Sequence, residues 1–190
     1  MVQLMKVGAA AGFAAPIFAF AFILCAIVSY PPFSWTSNAL SDLGVVEGAT
    51  SILFTIGLIG AGIFALLFAV LGLYNFAGGS RLGKVGSTVF GAATVALVCI
   101  GIFNEHFVPT HYLVSVAFFA LAPIGLFILT CAFYRNHKRG LAAFTVVIGV
   151  VAALPWILQF TIHYAVSAAA VSVWAIVLAS KMLKSAKQKF

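Results

Sequence analysis

The sequence predicts an all-α fold, a polytopic membrane bundle of six transmembrane helices, on three observations. Of its 190 residues, 64% are hydrophobic and only 7% charged, against roughly 45–50% and about 25% in an ordinary soluble domain. The apolar residues gather into runs of span length. The ten Lys/Arg and three Asp/Glu fall in the breaks between those runs. So few charges cannot cover a folded surface in water, which excludes a soluble globular protein. Six spans of about 20 residues use roughly 120 residues. That leaves no room for a separate soluble catalytic domain, and the chain reads as one integral-membrane domain, 1–190.

The spans fall at about 7–29, 50–73, 85–103, 112–134, 141–157 and 164–182. Lys6 precedes the first apolar run, as in a secretory leader. The run is about 23 residues long, longer than a leader's apolar core, and no small-residue cleavage site follows, so an uncleaved first helix is expected. Tyr30-Pro31-Pro32 closes that span, because Pro lacks an N–H and restricts the residue before it. Gly78-Gly79-Ser80-Arg81 marks the next turn, Asn104-Glu105-His106 a third break, and Arg135 to Gly140 a fourth. Residues 141–182 contain no Lys, Arg, Asp or Glu before Lys181. As one helix at about 1.5 Å per residue they would run roughly 63 Å, twice the hydrocarbon thickness. Pro155, Trp156, Gln159, His163 and Tyr164 supply a turn with interfacial aromatics midway.

Laid on six spans, the charges separate. Lys6, Arg81, Lys84, Arg135, Lys138, Arg139, Lys181, Lys184, Lys187 and Lys189 all fall on one side. The positive-inside rule makes that side cytoplasmic and places both termini there, in a multi-pass protein of the cell membrane. The terminal lysines suit a stop-transfer anchor and contact with anionic headgroups. The net charge of +7 reflects topology and points to membrane lipid, not nucleic acid, as partner. Cys25, Cys99 and Cys131 lie within spans without a CxxC spacing, and are expected as small buried thiols.

Gly8-x-x-x-Gly12, Gly57-x-x-x-Ala61 and Ser87-x-x-x-Gly91 let helices approach closely, more as packing within the bundle than as a signal for a homo-oligomer. Ala15-Pro16-Ile17 echoes Ala122-Pro123-Ile124, but common residues at shifted spacing do not make an inverted repeat. No Lys, Arg, Asp, Glu or His lies in the middle of a span, which counts against proton pumps, voltage sensors and many ion-coupled transporters. Thr55, Thr94, Thr130 and Thr145 are available either to a polar pathway or to helix packing.

Chemistry is therefore confined to the outer connections. In the first, Ser37 can cap a short interfacial helix that Gly44 ends. On it Asn38 and Asp42 are i,i+4 neighbours with Ser41 beside them, while Leu40 and Leu43 face away. This polar face can point into the mouth of the bundle, or Asp42 can merely cap a turn.

Tyr30-Pro31-Pro32, followed by Asn38-Ala39-Leu40-Ser41-Asp42-Leu43-Gly44, resembles the signature loop of an uncharacterised prokaryotic membrane family, domain of unknown function 998. That family carries an (Ile/Leu)-Ser-Asp-Leu-Gly loop after its first span and six or so spans. The chain is also similar, more remotely, to Frag1/DRAM-type membrane proteins. The resemblance implies the fold plan and the importance of Ser41, Asp42 and Gly44, and it implies no activity.

The second constellation is Asn104-Glu105-His106 with Pro109 and His111. Pro109 makes a loop and sets His111 at the top of the fourth span. Asp42, His111 and His163, with Glu105 or His106, would make a Zn²⁺ site, or an acid–base set without metal in which Ser41 joins Asp42, His111 and His163. Asn38, Trp35 and His106 are the candidate binding residues beside it. The alternative is interfacial histidines bonded to backbone carbonyls or water. Ceramidase-like membrane hydrolases use Ser, Asp and His, but their late-helix His-x-x-x-His is absent here.

Three functional readings follow. The first is an outward-facing polar pocket that binds a metal ion, a lipid or a polar headgroup, with hydrolysis as its chemistry. The second is a transporter or channel for a small or amphipathic solute, and the third a structural or assembly membrane protein.

Overall fold

Backbone polar groups in hydrocarbon must be satisfied within the segment, and helices do this without partners. In a computed structural model, which describes residues 2–77, 79–158 and 163–188, the apolar runs are accordingly helical. The side chains of Pro155, Ile157, Leu158, His163 and Tyr164 lie outside that description. The helices are α1 (Val2–Val28), α2 (Ala49–Ala77), α3 (Arg81–Ile102), α4 (Thr110–Arg135), α5 (Arg139–Leu158) and α6 (His163–Lys187), with a 3₁₀ turn at Leu40–Gly44. Five of them are long and apolar enough to cross a membrane, while α5 is apolar over the shorter stretch Arg139–Leu154. Pro155 and Trp156 fall inside the last turn of α5 and not in a turn between helices, and Gln159 lies outside the described residues.

Close contacts set the helix register. Gly57 of α2 lies on Phe22 of α1, and Gly72 on Gly8. Gly62 lies on Val98 of α3, Gly125 of α4 on Phe90, and Gly149 of α5 on Phe127 of α4. Ser167 of α6 bonds the carbonyl of Ala152, and Gly12 of α1 lies on Ala179. Each pair is antiparallel, and the last returns the chain to its first helix. The six helices form an up-and-down ring, α1 packed between α2 and α6. The described Lys and Arg residues share one end of it, the basic end. The connections 29–48 and 103–109 share the opposite end.

At the basic end α1 and α2 approach backbone to backbone. A Cβ on Gly8 would collide with the backbone of Leu71 and Gly72. In lipid such contact is a main source of helix association, because hydrocarbon on the outside offers no hydrophobic drive. Gly72 lies in a π-helical turn, Phe68–Leu73, where the N–H of Tyr74 bonds the carbonyl of Ala69. One carbonyl of that turn is taken by a side chain: Asn75 Nδ2 donates to Leu71 O at 2.9 Å. Gly91, by contrast, leaves ordinary space, with Ala69 3.7 Å from where its Cβ would stand.

Phe68, Phe90 and Trp174 meet at the centre. Their ring centroids lie 5.0–6.3 Å apart, within the range of favourable aromatic contact. Trp174 is fully buried, and its Nε1 donates to Thr145 Oγ1 at 3.1 Å, tying α6 to α5. Thr94 and Thr130 donate to carbonyls of their own helices. These threonines serve packing.

Two helix ends have defined caps. Ser80 accepts a hydrogen bond from the N–H of Gly83 at the start of α3. At the end of α4, His137 takes a left-handed conformation, φ 58°. Its N–H bonds Tyr134 O, and the N–H of Lys138 bonds Phe133 O, the pattern of a Schellman cap. His137 therefore makes the turn within the predicted break from Arg135 to Gly140. Cys25 and Cys131 are exposed on the outer surface of the ring and Cys99 is half-buried, so the expectation of buried thiols is corrected. In lipid an apolar thiol gains nothing from burial.

Candidate functional site

The connection after α1 is built from local hydrogen bonds. Asn38 closes a turn with Ser34: its N–H donates to Ser34 O at 2.9 Å, and its Oδ1 accepts from the N–H of Ser34 at 3.0 Å. Its Nδ2 donates to Asp42 Oδ2 at 2.9 Å, and that oxygen also accepts from the N–H of Ala39 at 3.1 Å. The i,i+4 pairing of Asn38 with Asp42 is thus present. The expected cap is not: the 3₁₀ turn starts at Leu40 with Ala39 before it, and Ser37 stands outside. Gly44 does not end the turn by a left-handed conformation either. A Cβ there would stand 3.2 Å from the Phe54 ring, so the position needs a small residue for packing.

Between them, Leu43 is fully buried against Ile23, Ala26, Phe54, Leu58 and Ile100. Asp42 shapes the turn, Leu43 anchors it and Gly44 lets it sit down on α2. The second constellation continues this bracing. Asn104 Nδ2 donates to Gly44 O at 3.2 Å, and Asn104 Oδ1 accepts from the N–H of His106. His111 begins α4, as expected, with Nδ1 2.7 Å from Phe103 O. The backbone-bonded alternative describes its geometry. Glu105 is half-buried and His106 exposed.

Among the described residues no three His, Cys, Asp or Glu side chains gather to hold a metal ion. The side chain of His163 lies outside the described residues.

Beneath this roof lies a cavity of about 170 Å³, open on one side. Ala15, Pro16, Ala19, Ile23 and Leu24 of α1 form one wall, and Ala165, Ala168, Val171, Ser172 and Ala175 of α6 another. Leu58, Ala61 and Ala65 of α2, Thr94 and Leu97 of α3, and Ser115 and Phe118 of α4 line the back, while Phe68 and Phe90 form the floor. Trp35, Leu40 and Ser41 cover the end away from the bases. Phe20, Leu24 and Trp35 are exposed at the open side. The lining is almost entirely hydrocarbon, so the cavity corrects the expected polar character of the pocket.

Of the predicted residues whose side chains are described, Trp35 and Ser41 touch the cavity; Asn38, Asp42, Glu105, His106 and His111 do not. The sequence reasoning missed its walls. The available signal was seven alanines at helical spacing, Ala15, Ala19, Ala61, Ala65, Ala165, Ala168 and Ala175. Alanine at such spacing equally serves close helix packing, so pattern alone does not separate a void from a contact.

The family described as Protein of unknown function (DUF998) matches residues 13–181, from the first helix to the last, and the chain belongs to it. That match does not extend to the Frag1/DRAM-type likeness. No curated protein and no solved structure matches the chain.

Proposed function

We propose that this multi-pass membrane protein binds a lipid, holding its hydrocarbon chain in the cavity between α1 and α6. The apolar, open-sided cavity carries the reading. Water gains too few partners in such a space to fill it, and an empty one forfeits the dispersion contacts of its lining. A hydrocarbon chain restores them. From Ala15 to Leu24 the wall rises about 14 Å at 1.5 Å per residue, room for roughly ten carbon–carbon bonds.

In the proposed orientation all six helices span, both termini are cytoplasmic and the cavity opens in the outer leaflet. The separation of ten bases from the other end supports this. The floor favours binding over passage, since Phe68, Phe90 and Trp174 close the bundle below the cavity. In this reading Asp42 and His111 hold the roof in place instead of reacting.

The test is mass spectrometry of lipid retained by the purified protein, for the wild type and for Ala61→Phe and Ala168→Phe, which fill the cavity. Near-stoichiometric lipid on the wild type, lost from both folded variants, is expected. Equal retention by all three would sink the reading.

A further inference from the structure

The distribution of charge around the cavity points to a class of headgroup. No Lys or Arg occurs between Lys6 and Arg81, between Lys84 and Arg135, or between Arg139 and Lys181. Every connection at the roofed end therefore lacks Lys and Arg, the permanently charged partners of a phosphate, and of the described histidines there His106 is exposed and does not line the cavity, while His111 Nδ1 is held at Phe103 O. The three carboxylates of the chain, Asp42, Glu47 and Glu105, all lie in those connections. An anionic head held there would meet like charge within a Debye length, about 8 Å at physiological salt.

The cavity offers hydroxyls instead. Ser41 in the roof and Ser115 near the start of α4 line it, and neither hydroxyl makes a hydrogen bond among the described residues; Ser172 on α6 lies lower, toward the floor. A hydroxyl can both donate and accept, which suits another hydroxyl and supplies no charge.

Resting on the lipid-binding reading, we infer that the ligand is a lipid with an uncharged, hydroxyl-bearing head, a diacylglycerol or a long-chain alcohol, and not an anionic phospholipid. Its head lies beneath Trp35 and Ser41, and its chain runs down between α1 and α6 toward Phe68 and Phe90.

Trp35 reports occupancy. The full chain is placed in phosphatidylcholine nanodiscs and titrated with brominated-chain diacylglycerol, long-chain alcohol or phosphatidylglycerol. The quenching of Trp35 is taken as the difference between wild type and Trp35→Phe. Saturable quenching is expected from a neutral lipid at a mole fraction at least tenfold lower than phosphatidylglycerol requires, and loss of the saturable part in Ala168→Phe. Whichever neutral probe saturates first identifies the source of the hydroxyl.

Saturation by phosphatidylglycerol at an equal or lower mole fraction overturns the headgroup assignment and leaves the cavity reading standing. Quenching that stays linear for every probe, and is unchanged in Ala168→Phe, overturns both.

Discussion

The two halves of the bundle are made from the same small alphabet and put it to opposite uses. Toward the basic end, small residues bring backbones together: Gly8 meets Gly72, and Gly12 lies against Phe68 and Ala179. Toward the roofed end, alanines on α1, α2 and α6 face one another across a void. The difference lies in what stands opposite. At the basic end a small residue faces a backbone or a ring that fills the space its own side chain leaves. At the other end alanine faces alanine, and large residues such as Phe54 and Ile100 line the void but are braced against Leu43 and do not fill it. Smallness is therefore not by itself a packing signal; the partner decides.

Gly8→Leu should break this contrast most severely. Its side chain has no path except through the backbone of α2. No monodisperse folded species is expected on size exclusion, whereas Gly91→Ala, with ordinary space around it, should elute and melt like the wild type or slightly above it. Equal behaviour of the two variants would show that the close approach carries little of the fold.

Trp174→Ala should come next. With lipid as the reference solvent the transfer contribution largely drops out and the cavity contribution stays, for an expected loss of roughly 3 kcal/mol in reversible detergent unfolding. A loss under about 1 kcal/mol would mean that the aromatic centre relaxes into the space.

Thr145→Val keeps the shape and removes the acceptor of Trp174 Nε1. A loss of about 1 kcal/mol is expected, in the range of interhelical hydrogen bonds in membranes.

The smallest effect is expected for Ala168→Leu, which adds bulk to the void. Its melting temperature should stay within a shift equivalent to about 0.5 kcal/mol of the wild type, unlike the usual cost of 1–3 kcal/mol for overpacking a filled core. A large destabilisation would show that the cavity is closed in solution.

The sequence was most legible where the physics is one-dimensional. Span length, charge sidedness and the breaks at Tyr30-Pro31-Pro32 and Asn104 are set by hydropathy along the chain, and the helices fall within a few residues of the predicted spans. The Asn38–Asp42 pair was legible for the same reason, being four residues apart. Whether Asp42 looked into a pocket or back at its own backbone depended on where Leu43 would be buried, a three-dimensional matter. The π turn at Phe68–Leu73 has no local signature beyond Gly72, and its position opposite Gly8 requires knowing that α1 and α2 pack in that register. The void required still more: five helices at once, each contributing a residue that looks innocuous on its own.

Going round the ring, α1 to α2, α2 to α3 and onward, each neighbour is tethered to the next by a stretch of chain, except where α6 meets α1. That joint is dry. Like two staves of a cask with the hoop cut, these helices are held by packing alone, with Gly12 against Ala179 and Met5, Ala9, Leu178 and Met182 in one apolar cluster. The two helices of this joint also give two walls of the cavity, above that contact. In the lipid-binding reading proposed above, a bulky molecule would enter sideways here while the five tethered joints keep their register, and a covalent bond across α1 and α6 would turn the door into a wall.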